Sequence, residues 1–174
     1  MTTPESLRIK RSRLEKVSII QPATIFHDER GTYIETYNEK LYRDGGVKIE
    51  FIQDDISISK KNVLRGIHGD QETWKLVTCL SGAFYLIVVN NDPSSGEYKK
   101  WQSFILTSEN NVQILIPPKF GNGHVVLSED AIFHYKQSTY YNREGQFTIK
   151  WNDPEFNFEW PISNPITSAR DSGL

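Results

Sequence analysis

Histidine is the side chain best matched to moving a proton near neutral pH, and this chain has four of them. His68 lies in Leu64-Arg65-Gly66-Ile67-His68-Gly69-Asp70, where the flanking glycines let a backbone or a ligand approach closely. It reads equally well as a general base and as a strand-end histidine held for structure. His124 follows Gly123 at the start of an apolar run and reads more readily as a pocket-rim or structural residue. His27 sits in a charged turn and His134 alternates opposite to Tyr135, so neither is expected to be catalytic.

Metal chemistry is the main competitor. His68, Glu72 and His124 could supply three ligands of the set that small metal-binding β-barrels use, but Asp70 stands where the second histidine of an H-x-H pair would be. An aspartate there could bind only a hard cation well. No metal site is expected. Arg30 and Arg65 are each next to a glycine in a tight segment, and the planar guanidinium fork suits phosphate. Lys75, Lys119 and Arg170 lie beside turns or strand ends, where the ordinary reading is a solvated charge. Tyr135 and Tyr141, with Tyr140 between them, are packing residues or, if they face a pocket, general acids. The pair Asp54-Asp55 and the C-terminal Asp171 carry no assignment by themselves.

The elements that must position these groups are mostly strands. One short helix is expected over residues 38–44, closed by Gly45-Gly46. Strands are expected over residues 17–20 and 32–37, then over 75–79 and 83–90 as a hairpin around Ser81-Gly82. Further strands fall near 101–106, 112–116, 124–128, 132–138 and 147–150, separated by Pro117-Pro118 and Gly121-Asn122-Gly123. Residues 83–90 are apolar on both faces, which places that strand between two layers or at a subunit interface. Many short strands at this spacing predict an all-β sandwich or jelly roll. Neither a linker nor a repeat interrupts the chain, so one domain is expected over residues 1–174, with residues 1–13 and 172–174 the most mobile.

Composition narrows the function classes. The chain has 174 residues, 37% hydrophobic and 24% charged, with a net charge of −2. That balance speaks against a disordered chain and against an electrostatic nucleic-acid binder. No apolar run approaches the roughly 20 residues of a membrane span, and the charged first 16 residues contain no apolar stretch of a secretory signal. Cys79 is the single cysteine, so a reducing cytoplasm is the expected compartment.

Taken in order, the motifs resemble a known family. HDERGTYIETYNE at 27–39, FIQDD at 51–55, VLRGIH at 63–68, KLVTCLSGAFYLIVV at 75–89, ILIPPKFGNGHVVLSE at 114–129, YKQSTYY at 135–141 and IKWNDPEFNFEWP at 149–161 resemble the nucleotide-sugar 3,5-epimerases typified by dTDP-4-dehydrorhamnose 3,5-epimerase. The resemblance runs from His27 to Asp171. It implies a cupin-type double-stranded β-helix (jelly roll) with short peripheral helices, working as a homodimer without metal or other cofactor on a nucleoside-diphospho-4-keto sugar. It implies roles as well. His68 is the base, with Asp171 on its other ring nitrogen, Tyr135 is the acid on the opposite face, and Lys75 stabilises the C4 oxyanion. Arg30 and Arg65 hold the diphosphate, with Glu35, Gln53 and Arg170 in the same pocket and Tyr141 against the nucleotide.

Departures from the family pattern refine the expectation. Where the family often reads PPGFAHGF, this chain has Pro117-Pro118-Lys119-Phe120-Gly121-Asn122-Gly123-His124. Asn122 stands at the usual histidine and His124 at the usual phenylalanine, both counted as substrate-binding positions. Asparagine cannot relay a proton, so inversion at C3, with or without C5, is expected. The RGIHGD variant resembles the branch acting on GDP-linked 4-keto-6-deoxy-heptoses for capsule or surface polysaccharide, which makes that the first substrate expectation. A dTDP-4-dehydro-hexose 3,5-epimerase or a 3,4-ketoisomerase is the alternative, and a non-catalytic sugar-nucleotide or metal-binding cupin is the alternative of another class. For the dimer, the strand apolar on both faces and an N-terminal strand extending the partner's sheet supply a physical route.

Overall fold

The computed structural model describes residues 7–173, and strands dominate it. In chain order the elements are β1 (Arg8–Arg11), β2 (Ser18–Gln21), β3 (Ile25–Asp28), β4 (Gly31–Ile34), α1 (Glu39–Asp44), β5 (Gln53–Lys60), β6 (Leu64–Gly69) and β7 (Lys75–Ser81). There follow β8 (Ala83–Asn90), β9 (Trp101–Thr107), β10 (Gln113–Ile116), β11 (Phe120–Val126), β12 (Asp130–Gln137), β13 (Phe147–Thr148) and α2 (Ala169–Ser172). A six-stranded sheet, in the order β1-β2-β10-β7-β12-β5, faces a five-stranded sheet, β13-β6-β11-β8-β9. The strand β3 and its neighbour β4 pair only with each other. This is the expected jelly roll with short helices.

Alternation builds the interior. Leu86 and Val88 on β8 meet Val77 of β7 and Phe133 of β12 between the sheets. The other face of β8 packs Tyr85, Ile87 and Val89 against Ile149, Phe156, Phe158 and Trp160 of the chain's own C-terminal stretch. The strand buried on both faces is therefore covered from within one chain and needs no subunit partner. Burying each such side chain contributes about 1.5–3 kcal/mol.

Several local expectations are corrected. Strands β7 and β8 belong to different sheets, so Ser81-Gly82 is a corner that carries the chain across the sandwich and closes no hairpin. Gly82 has φ +73, and a Cβ there would sit 2.2 Å from the Asp130 carbonyl oxygen. The strand expected over residues 32–37 ends at Ile34, and Arg8–Arg11 form β1, inside the span expected to be mobile. That strand is at the edge of the six-stranded sheet and pairs with β2. The mobility expected of residues 1–6 and 174 falls outside the described residues. Helix α1 forms as expected, with Asn38 capping the Leu41 N–H and Gly45 closing it. Among the described residues no helix is long and apolar enough to cross a membrane.

Candidate active site

At one end of the sandwich the two sheets enclose a cavity of about 440 Å³. The six-stranded sheet lends Gln53, Asp55 and Ser57 from β5, Lys75 from β7, and Phe133 and Tyr135 from β12. The five-stranded sheet lends Arg65 and His68 from β6, and Asn122 and His124 from β11. Tyr141, Arg170 and Asp171 close the rim from the C-terminal segments.

A local irregularity aims β6 into this space. Strict alternation would send Arg65 and His68, three residues apart, to opposite faces. The pairing with β11 slips instead, so that Asn122 stands opposite His68 while His124 stands opposite Arg65. The extra residue on β6 brings both side chains to the cavity side. Gly66 makes the slip possible. Its φ is +109, and a Cβ there would lie 2.6 Å from Gly123 Cα and 2.7 Å from the Asn122 carbonyl oxygen.

His68 meets Asp171 through Nε2, 2.7 Å from Oδ1. The carboxylate lies off the line of the ring N–H, so the two groups are in close contact without a well-directed hydrogen bond. Helix α2 delivers it, with Ser168 as its N-cap bonding the Asp171 N–H. Burial would raise the Asp171 carboxyl, but His68, Ser168 and the Gly66 N–H outweigh it and hold the group below its ordinary value. A proton held at Nε2, on the side of this carboxylate, would leave Nδ1 with the free lone pair that a base needs.

Lys75 is 7% exposed, and its ammonium meets Asn122 Oδ1 at 3.4 Å. Burial lowers its pKa, assisted by Arg170 and opposed by Asp70. A buried cation whose hydrogen-bond partner is a neutral amide is set to receive an anion. Tyr135, on the opposite sheet from His68, has its hydroxyl pushed up to about 12 by burial, with the charges of Asp55 and Tyr141 adding to it. It therefore holds its proton at neutral pH. His124 is 3% exposed, stacked on Phe133 at 4.1 Å and tilted on Phe84 at 5.2 Å. Burial, aided by Arg65, pushes it down to about 3, so it stays neutral.

The binding positions divide. Arg65 is tied to Ser59 Oγ at 2.9 Å, and Arg170 to Thr148 Oγ1 at 3.1 Å. Gln53 accepts the Tyr141 N–H at 2.9 Å. A second cavity of about 410 Å³ adjoins the first and shares Tyr141 and Gln146 with it. Arg30 and Glu35 are not brought to this chain's cavity. Arg30 lies exposed at the turn of the separate β3–β4 hairpin, its Nε 3.1 Å from Asp28, and Glu35 accepts from Thr24 at 3.4 Å. Glu72 lines the second cavity, apart from His68 and His124. Among the described residues no group of three or more His, Cys, Asp or Glu is arranged to hold a metal ion. Asp55, which the sequence left without an assignment, lines the first cavity, as do Ser57 and Gln146, which it did not single out. The polar alternation Gln53, Asp55, Ser57 was the signal for Asp55 and Ser57, once β5 is seen as a strand.

An imidazole and a protonated phenol from facing sheets, with a buried lysine lining the same cavity, give a jelly roll the groups that a proton-transfer site needs. The family model described as dTDP-4-dehydrorhamnose 3,5-epimerase matches residues 11–174, and the chain belongs to that family. It is a carbohydrate epimerase, an isomerase. It is 37% identical over 169 residues to the dTDP-4-dehydrorhamnose 3,5-epimerase of Shigella flexneri, covering 95% of this chain and 93% of the relative. The Legionella pneumophila dTDP-6-deoxy-D-glucose-3,5-epimerase, solved with dTDP-4-keto-L-rhamnose, superposes with a TM-score of 0.90 at 35% identity, over 96% of this chain and 90% of that one. The Bacillus anthracis dTDP-4-dehydrorhamnose 3,5-epimerase, solved with TDP and PPi, gives 0.91 at 31% identity, over 97% and 98%.

Proposed function

We propose that this enzyme epimerises a dTDP-linked 4-keto-6-deoxy-hexose at C3, with C5 as a second centre. The observation that carries the reading is the placement of His68 and Tyr135 on facing sheets around one cavity. The C4 ketone acidifies the neighbouring C–H bonds. His68 takes the C3 proton through Nδ1, and the electron pair moves to the C4 oxygen as an enolate. Lys75 stabilises that oxygen. Tyr135 returns a proton to C3 from the other face, and the enolate collapses to the inverted ketone. Acid–base catalysis supplies roughly 10²–10⁴-fold and the buried cation much of the rest.

The relatives compared above carry dTDP in their names, which puts dTDP ahead of the GDP-4-keto-6-deoxy-heptose expectation. In this reading Arg65 and Arg170 meet the diphosphate and the nucleoside runs over Tyr141 into the adjoining cavity. Asn122 and His124 line the sugar. The reaction belongs to the cytoplasm, where the free thiol of Cys79 also fits.

A homodimer completes the site. Strand β5 is the outer strand of the six-stranded sheet, and its Ile56 and Ile58 are 57% and 66% exposed. Docking two copies through this face covers that apolar strip. It would also let the β3–β4 hairpin carry Arg30 and Glu35 toward the partner's cavity.

The test is solvent exchange. Incubation with dTDP-4-keto-6-deoxyglucose in D₂O, without a reductase, should place deuterium at C3. The absence of deuterium at both C3 and C5 with dTDP- and GDP-linked substrates rejects the reading. Deuterium at C5 as well makes it a two-centre enzyme, and a 3-keto product identifies a ketoisomerase.

A further inference from the structure

The proton-transfer steps leave one carboxylate of the catalytic cavity unused. Asp55 on β5 stands directly across from Tyr135 on β12, and both line the cavity. Cross-strand partners hold their Cβ atoms about 4.5–5.5 Å apart. Asp55 Oδ2 accepts Gln53 Nε2 at 2.7 Å and Gln137 Nε2 at 2.8 Å. Amide donors fix a carboxylate in place without cancelling its charge. The other acid of the cavity, Asp171, is matched with His68. The cations are engaged elsewhere, with Lys75 on Asn122, Arg65 on Ser59 and Arg170 on Thr148. His124 is neutral, and Tyr141 is a second phenol near Tyr135.

A phenolate could not donate a proton to the enolate, and a neighbouring negative charge disfavours that form. We infer that Asp55 is a positioning residue for the proton donor: its charge, one strand from Tyr135 on the same cavity wall, strengthens the phenol's hold on the proton it must donate. The inference rests on Tyr135 being the acid of the proposed reaction. Burial pushes the hydroxyl the same way, and Asp55 is the largest charge contribution beside it.

Asp55→Asn tests this, since it keeps the shape and an acceptor while removing the charge. With ¹³C at the tyrosine ζ carbon, the Tyr135 signal is the one that vanishes in Tyr135→Phe. Between about pH 7 and 10.5 it should stay at its protonated position in the natural chain. In Asp55→Asn it should move toward the phenolate position, its midpoint lowered by about one pH unit. Asp55→Ser should give the same displacement, which guards against a variant that misfolds. In the D₂O assay the rate of Asp55→Asn should fall away at alkaline pH while its acid limb stays in place. An unmoved Tyr135 signal, or a rate lowered equally at every pH, overturns the inference. A signal that moves in a chain showing no exchange with any substrate supports the role of Asp55 and rejects the epimerase reading instead.

Discussion

At the scale of the residue, function comes down to which side chains hold protons and which release them. Asp171 lies against Nε2 of His68, so Asp171→Asn, which replaces that carboxylate by an amide, should lower the exchange rate about 10²–10⁴-fold with little change in KM if the proposed base role holds. Lys75→Met should cost about 10²–10³-fold in kcat by removing the oxyanion's cation. His124 predicts a pH dependence of stability. Its folded-state value, about 3, lies below its unfolded value of 6.5, so the unfolded chain takes up the proton first. Stability is therefore unaffected above 6.5 and falls as the pH drops from 6.5 toward 3. His134, also lowered chiefly by burial, acts in the same direction. His124→Phe should flatten the decline in Tm between pH 7 and 5 without abolishing it, as thermal melts at both pH values would show.

At the scale of the element, one strand irregularity decides whether a site exists. The slip between β6 and β11 turns Arg65 and His68 to one side. Gly66→Ala would drive a methyl into the backbone of Gly123 and Asn122 at a residue with φ +109. It should cost more than about 1 kcal/mol, a fall of at least 2–4 °C in Tm, and should remove exchange activity even where the fold survives. A circular-dichroism melt beside the D₂O assay checks both. The motif around His68 was legible in the sequence because its glycines mark close backbone approach. The slip itself was not, since it belongs to the pairing of two strands 54 positions apart at Asn122 and His68. For the same reason Ser81-Gly82 looked like a hairpin turn. Local turn chemistry does not say whether the next strand pairs with the last one or crosses to the other sheet. Strand β5 escaped notice because its exposed Ile56 and Ile58 blur the usual alternation of apolar inside and polar outside.

At the scale of the whole molecule, the question is how an epimerase with Arg30 outside its own cavity binds a diphosphate. In the proposed dimer the outer face of β5 is covered, so Ile58→Asp should give a monomer by light scattering and raise KM. Arg30→Ala should raise KM about tenfold, the scale of one charged contact of 1.4 kcal/mol, and leave the dimer intact. A dimeric Ile58→Asp protein would place the interface elsewhere.

The sequence by itself determined the jelly-roll class, the short capped helix and the family, because alternation, turn residues and ordered motifs are properties of neighbours along the chain. Through the family resemblance it also pointed to His68, Tyr135, Lys75 and Asp171 as a set. Only the tertiary structure decided that these four share one cavity, that His68 and Tyr135 come from opposite sheets, and that Asp55 stands across from the phenol. Those relations join residues far apart in the chain, and they are set by strand register and by the packing of one sheet on the other.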